Sequence, residues 1–81
     1  MRLDKYLKVA RIIKRRTLAN EACDAGRVLV NDKPARASLA VKPGDVIEIK
    51  FGQGSQKVRV LAVKEHVRTE EASSLYEEIN N

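Results

Sequence analysis

At Gly26 the hydrophobic period of this chain changes, and the change limits what it can fold into. Before it, Leu3, Tyr6, Leu7, Ala10 and Ile13 recur at steps of three and four, and Leu18, Ala19, Ala22, Cys23 and Ala25 form a second apolar face. That is the spacing of two helices, each with one side buried. After Gly26 the apolar residues alternate: Val28 and Val30 flank Leu29, Ile47, Ile49 and Phe51 interleave with Glu48 and Lys50, and Val58, Val60 and Ala62 occupy every second place from Lys57 to Val63. Alternation puts those side chains on one face of a strand. Turn signals separate the runs: Asn31-Asp32 before Lys33 and Pro34, Pro43-Gly44 within KPGD, and Gly52 to Ser55. Proline presets the first central residue of such a turn, and glycine supplies the positive φ that follows. The pattern predicts an α+β fold, with two short N-terminal helices packed on a small antiparallel sheet.

The first helix is expected from Arg2 to about Ile13. The second should start at Thr17, whose hydroxyl can accept from a free amide one turn on, and should stop at Gly26. Asn20 stands where a capping box prefers Glu or Gln. Near the C-terminus Ala72, Leu75, Tyr76 and Ile79 have helical spacing, with Thr69 as a cap and Glu70 and Glu71 well placed at the start. A short helix packing back on the sheet and a docking segment for a protein partner both fit that pattern. An 81-residue chain holds one small domain. Residues 1–64 read as that domain and 65–81 as an acidic C-terminal extension, in which five glutamates oppose only Arg68.

Charge is localised at the other end. Arg2, Lys5, Lys8, Arg11, Lys14, Arg15 and Arg16 face the single acid Asp4. On a helix to Ile13, Lys5, Lys8, Arg11 and Arg15 line up as one cationic row, with Lys14, Arg15 and Arg16 at the corner before the second helix. Like charges at that spacing repel by a few tenths of a kcal/mol per pair (roughly 0.2–0.5), a cost a purely structural helix has no reason to carry. With a net charge of +5 and a sequence pI near 9.7, a polyanion is the expected partner. A solvated lysine-rich face is the plainer alternative, but such faces usually mix signs.

Catalytic readings fail by inventory. Cys23 and His66 are each single, so a four-ligand zinc site or a Cys-His nucleophilic pair cannot be assembled. Cys23 reads as a small core residue, and His66 as an exposed neighbour of Glu65 at the edge of the last strand. Gly52-Gln53-Gly54 lacks the Lys-Ser/Thr of a phosphate loop. No enzyme, metal or cofactor is expected. Apolar runs are too short for a membrane span, no secretory signal opens the chain, and the lone cysteine suits a reducing compartment, so a cytoplasmic protein is expected. The aromatics are Tyr6, Phe51 and Tyr76, with Tyr6 and Phe51 assigned to the core, so recognition by base stacking is disfavoured. Phosphates and shape should be read instead. On charge alone, a helix-turn-helix that binds duplex DNA remains a rival.

The runs RLDKYL from Arg2, KRRT before the second helix, AGRVLVN from Ala25 and VKPGDVIEI from Val41 resemble, in order and spacing, the RNA-binding domain of small-subunit ribosomal protein S four, the alpha-L motif. The chain is most similar to the heat-shock protein fifteen-like branch and its ribosome-associated quality-control members. The resemblance implies an RNA-binding protein of the large ribosomal subunit that contacts ribosomal RNA and peptidyl-tRNA on stalled subunits. It also implies support for an alanine-tailing quality-control factor that extends the blocked nascent chain. A constitutive ribosome-associated structural or stress role is the alternative within that kinship. Related modules accompany pseudouridine synthase and tyrosyl-tRNA synthetase domains that are absent here. The motif lands on Arg2, Lys14, Arg15, Arg16 and Arg27, of which all but Arg27 were also chosen by charge. With Lys5, Lys8 and Arg11 these are the RNA-binding candidates, on a chain expected to be monomeric. Asp32 departs from the family's usual glycine, which puts RNA contacts from Asn31 to Lys33 in question.

Overall fold

In the computed structural model, which describes residues 1–79, the elements run α1 (Leu3–Val9), α2 (Arg16–Asp24), β1 (Val28–Val30), β2 (Lys33–Pro34), β3 (Val46–Phe51), β4 (Gly54–Val60), a 3₁₀ helix (Thr69–Leu75) and β5 (Tyr76–Glu78). The strands form one antiparallel sheet in the order β2-β1-β3-β4-β5. Register follows the alternation. Val28 pairs with Ile49 and Val30 with Ile47, while Ile47 pairs with Val58. Those side chains are buried against Leu3, Tyr6, Leu7 and Ala10 of the first helix and Ala19 and Cys23 of the second. Each large apolar side chain so buried contributes about 1.5–3 kcal/mol.

The first helix is shorter than its apolar stripe suggests. It stops at Val9 because Arg11 turns into the left-handed region, φ 60. The Arg11 N–H then donates to the Lys8 carbonyl at 3.0 Å and the Ile12 N–H to the Leu7 carbonyl at 3.0 Å. This is a Schellman ending. The second helix ends the same way: Gly26 has φ 75, its N–H donates to the Cys23 carbonyl, and the Arg27 N–H donates to the Ala22 carbonyl. Glycine takes that conformation freely and arginine does not.

The helix starts also differ from expectation. Thr17 is not the cap: α2 begins one residue earlier, after an extended Arg15, and no side chain caps it. At α1 the first two free amides are satisfied by tertiary contact and the third by a neighbouring carboxylate. Leu3 N–H donates to the Leu39 carbonyl at 2.8 Å, Asp4 N–H to the Ala37 carbonyl at 3.1 Å, and Lys5 N–H to the Asp4 carboxylate at 2.8 Å. The crossover between β2 and β3 is thereby tied to the start of α1, reinforced by a bridge between Arg2 and Ala40.

The Asn31-Asp32 turn is a two-residue hairpin with positive φ at both positions, 53 and 69, and Val30 paired with Lys33. Its backbone twist suits a hairpin, and Asn and Asp tolerate it better than most residues other than glycine. Two C-terminal expectations are corrected. β4 covers Gly54–Val60, shifted toward the Gly52-Gln53 turn, because Phe51 pairs directly with Gly54. His66 lies in the connection after β4 and belongs to no strand. The short helix expected near the end is present as a 3₁₀ helix with Thr69 as its first residue, but it stops at Leu75, and Tyr76 and Glu78 pair with Val60 and Val58 in β5. Leu75 is fully buried, and its carbonyl accepts the Tyr6 hydroxyl at 2.8 Å, so this stretch closes the core opposite α1. Asn80 and Asn81, the end of the acidic extension, lie outside the described residues. Phe51, assigned above to the core, is 49% exposed: it is the last residue of β3, opposite Gly54 beside the turn.

Candidate nucleic-acid interface

Asp4 organises the site. It is 2% exposed, and its carboxylate accepts from Arg2 Nε at 3.2 Å and Nη2 at 3.3 Å, from Asn20 Nδ2 at 3.3 Å and from the Lys5 N–H, while Arg16 Nε approaches to 3.3 Å. Burial works to raise its pKa, but the hydrogen bonds from Arg2, Arg16, Asn20 and Lys5 prevail and hold it below the ordinary 3.8. The carboxylate therefore stays charged and joins the start of α1 to the first turn of α2. Acting as the acid in the first turn of α1 is only part of its role. Its other part is to hold two guanidinium groups, each about half exposed, beside one another at the surface.

A second group of cations gathers at the end of α1. Lys8, Arg11 and Lys14 line one pocket of ≈ 390 Å³ with Val9, Glu65, His66 and Val67. None of the three forms an ion pair among the described residues. Because the helix has already ended, they converge through the turn and do not form the single row Lys5, Lys8, Arg11, Arg15 expected from helical spacing. Lys5 is held by the Glu65 carboxylate, a contact from the acidic stretch to the basic helix. The Lys5 hydrogen bond and charge, with lesser help from His66 and the N-terminal amine, lower the pKa of Glu65. Arg15 is exposed at the start of α2, and Arg27 is exposed just beyond its end. The eight candidates thus divide into Arg2 with Arg16 on Asp4, Lys8 with Arg11 and Lys14 in the pocket, a paired Lys5, and Arg15 and Arg27 standing separately.

Arg36 and Lys42 were not among the candidates, and contacts at Lys33 were in question; all three line a groove along the β2–β3 crossover. Their signal was the absence of acid: from Lys33 to Lys42 the segment holds three cations and no carboxylate. On the exposed side of α2, by contrast, stand Glu21 and Asp24. A helix-turn-helix would insert that element into a DNA groove, where two carboxylates would meet phosphate and base-edge acceptors. The chemistry is that of a binding surface. Cys23 is 6% exposed, and burial, aided by Asp4 and Asp24, pushes its thiol up to about 11, away from the thiolate a nucleophile needs.

Two short helices against one face of a twisted antiparallel sheet, with arginines fixed at the helix junction, define a small basic RNA-binding class of domain. The family model of the S4 domain matches residues 1–47, which span both helices, the first hairpin and the crossover. The chain belongs to the S4 domain family. It is 58% identical over 77 residues to a protein of Halalkalibacterium halodurans called RQC P-site tRNA stabilizing factor, covering 95% of this chain and 88% of that one. A Bacillus subtilis protein of the same name is 51% identical over 76 residues, covering 94% and 88%. A heat shock protein 15 homolog of Aeromonas salmonicida is 39% identical over 79 residues, covering 96% of this chain and 60% of that one. Among solved structures, the trimeric structure of Vibrio cholerae heat shock protein 15 superposes with a TM-score of 0.90 at 32% identity, covering 98% of this chain and 81% of that one. No helix among the described residues is long and apolar enough to cross a membrane.

Proposed function

We propose that this protein binds RNA on the large ribosomal subunit during ribosome-associated quality control and holds a tRNA in place there. The observation that carries the reading is the buried Asp4 with Arg2 and Arg16 upon it, because it presents two oriented, half-exposed guanidiniums side by side at the helix junction. Guanidinium forks match phosphate oxygens in planar, paired geometry. The names of the relatives in Halalkalibacterium halodurans and Bacillus subtilis support a tRNA at the P site as the ligand. In this reading ribosomal RNA and peptidyl-tRNA are contacted by Arg2, Lys5, Lys8, Arg11, Lys14, Arg15, Arg16 and Arg27. The bound protein, acting as a monomer, supports an alanine-tailing factor that extends the blocked nascent chain. Residues 1–64 carry the RNA contacts, and the acidic 65–81 stretch contributes Glu65 as a competitor for Lys5.

The test is co-sedimentation with large subunits carrying P-site tRNA, against vacant large subunits, at moderate salt. Arg16→Glu and the paired reversal Lys14→Glu/Arg15→Glu should lose binding to the tRNA-bearing subunits while circular dichroism stays unchanged. Equal binding of wild type to vacant subunits would favour a constitutive component, and displacement by duplex DNA as readily as by ribosomal RNA would favour a DNA-binding role. Unchanged binding by both folded variants overturns the proposal.

A further inference from the structure

The groove along the β2–β3 crossover, ≈ 660 Å³, combines a cationic rim of Lys33, Arg36 and Lys42 with an apolar floor that includes Val30, Pro34 and Leu39. Leu39 is 40% exposed and gives the groove an apolar contact surface inside its cationic rim. The one acid in the groove is turned inward. Asp45 is 5% exposed, and its carboxylate accepts from Asn31 Nδ2 at 3.2 Å and from the Lys42 N–H at 3.0 Å. Asn31 Oδ1 in turn accepts the Val46 N–H at 3.0 Å, so the hairpin and the far end of the crossover are locked together. The near end is fixed where the Ala37 and Leu39 carbonyls take the first amides of α1. A groove held at both ends does not have to be ordered when a ligand arrives.

Its position gives it meaning. Arg36 also lines the neighbouring pocket with Arg2, and Arg2 lines the next one with Arg16. Cations therefore follow one another from Lys42 and Lys33 through Arg36 and Arg2 to Arg16, with Asp24 and Glu21 of α2 along one side of the last two pockets and no solvent-facing carboxylate in the crossover itself.

We propose that this groove is an RNA subsite that takes the continuation of the strand engaged by Arg2 and Arg16. Phosphates lie on Lys33, Arg36 and Lys42, and a ribose or an unstacked base rests on Leu39 and Pro34. The inference rests on the RNA-binding reading. An acidic, apolar peptide has matching chemistry, but continuity with the Arg2–Arg16 surface favours the polynucleotide. The Asp32 carboxylate stands at the tip of the hairpin, away from the groove lining, so it does not forbid Lys33 a phosphate contact.

The experiment measures binding of the full chain to a short labelled single-stranded RNA over a range of salt concentrations. The variants are Lys33→Ala/Lys42→Ala, Arg36→Ala, Leu39→Ser and Arg16→Glu, each checked for fold by circular dichroism. The double lysine variant should weaken binding and lower the slope of log affinity against log salt by about 1.4, two phosphates at ~0.7 each. Arg36→Ala should lower the slope by about half that amount, and Leu39→Ser should weaken binding with the slope unchanged. If Arg16→Glu has no effect, the RNA reading itself fails. If Arg16→Glu weakens binding while the three groove variants keep wild-type affinity and slope, the groove proposal is overturned. So it is, too, if the groove variants bind RNA normally and lose only an acidic leucine-containing peptide that wild type retains.

Discussion

Replacing Arg11 with glycine should make the protein more stable and worse at binding RNA. The backbone at Arg11 is left-handed, φ 60, in the same Schellman position that Gly26 fills at the end of α2. An L-residue there carries a penalty of about 1–2 kcal/mol, while glycine costs roughly 0.5–1 kcal/mol more than other residues when the unfolded chain is ordered. The difference leaves a net gain of about 0.5–1 kcal/mol. For a domain of this size that raises Tm by about 2–8 °C. Arg11→Ala is the matched control, since it removes the same charge and keeps the left-handed strain. Thermal melts followed by circular dichroism should place Arg11→Gly clearly above both Arg11→Ala and wild type. RNA titrations should show both variants weakened alike, with the salt slope lowered by about 0.7. A melt in which Arg11→Gly falls level with or below Arg11→Ala would refute the reasoning, because it would mean that the turn carries no strain for glycine to relieve.

Tyr6→Phe should cost about 1 kcal/mol in urea unfolding and no more, because the Leu75 carbonyl it abandons still accepts the Leu61 N–H at 2.8 Å. Burial, with Tyr76 nearby, pushes the Tyr6 hydroxyl far above its ordinary 10. The neutral form is the folded one, so this stabilisation is complete below pH 10 and is lost as pH climbs above it, a limb that Tyr6→Phe should lack. Asp4→Asn should destabilise by about 2 kcal/mol at neutral pH, since the half-exposed arginines recover water and only part of the buried-pair loss is felt. The Asp4 pKa is depressed, so its contribution is present above pH 3.8 and disappears as pH falls through the lower folded value; wild type and variant should converge there. Cys23 should react with iodoacetamide at the rate of global opening at pH 8, and at the rate of a free thiol in denaturing urea.

Where the backbone alone decides, the chain could be read directly. The period switch at Gly26, the hairpin at Asn31-Asp32 and the turn at Pro43-Gly44 are local features, and the sheet through β3 follows from them. Arg11 was not legible, because the apolar stripe continues past it to Ile13; nothing local says that Ile12 and Ile13 will pack around a corner. The acidic stretch was legible only as far as its short helix, for a related reason. Its apolar spacing fits a helix, but the open edge of β4 offers hydrogen bonds that a short isolated helix cannot match, and Tyr76 to Glu78 take them. Arg36 was hidden because its value lies in adjacency to Arg2, which the crossover brings beside the start of α1. Phe51 shows the limit of alternation: it shares a face with Ile47 and Ile49, but it is the last residue of β3, beside the turn.

A buried carboxylate between two arginines is a weak device for stability, since apolar side chains of similar volume often do as well or better. What the apolar version could not do is fix two guanidiniums with N–H groups to spare. Arg2 spends Nε and Nη2 on Asp4, and Arg16 directs Nε toward it, which leaves the remaining nitrogens of each fork for a phosphate. Holding the fork in advance removes part of the roughly 2 kcal/mol of side-chain entropy that an arginine otherwise surrenders on binding. Arg16→Lys separates orientation from charge, because lysine keeps the cation and loses the fork. The expected result is a salt slope equal to that of wild type with affinity lowered by about tenfold, the worth of one charge-assisted hydrogen bond. Wild-type affinity in Arg16→Lys would mean that Asp4 serves the helix junction alone and that the surface reads phosphate by charge without geometry.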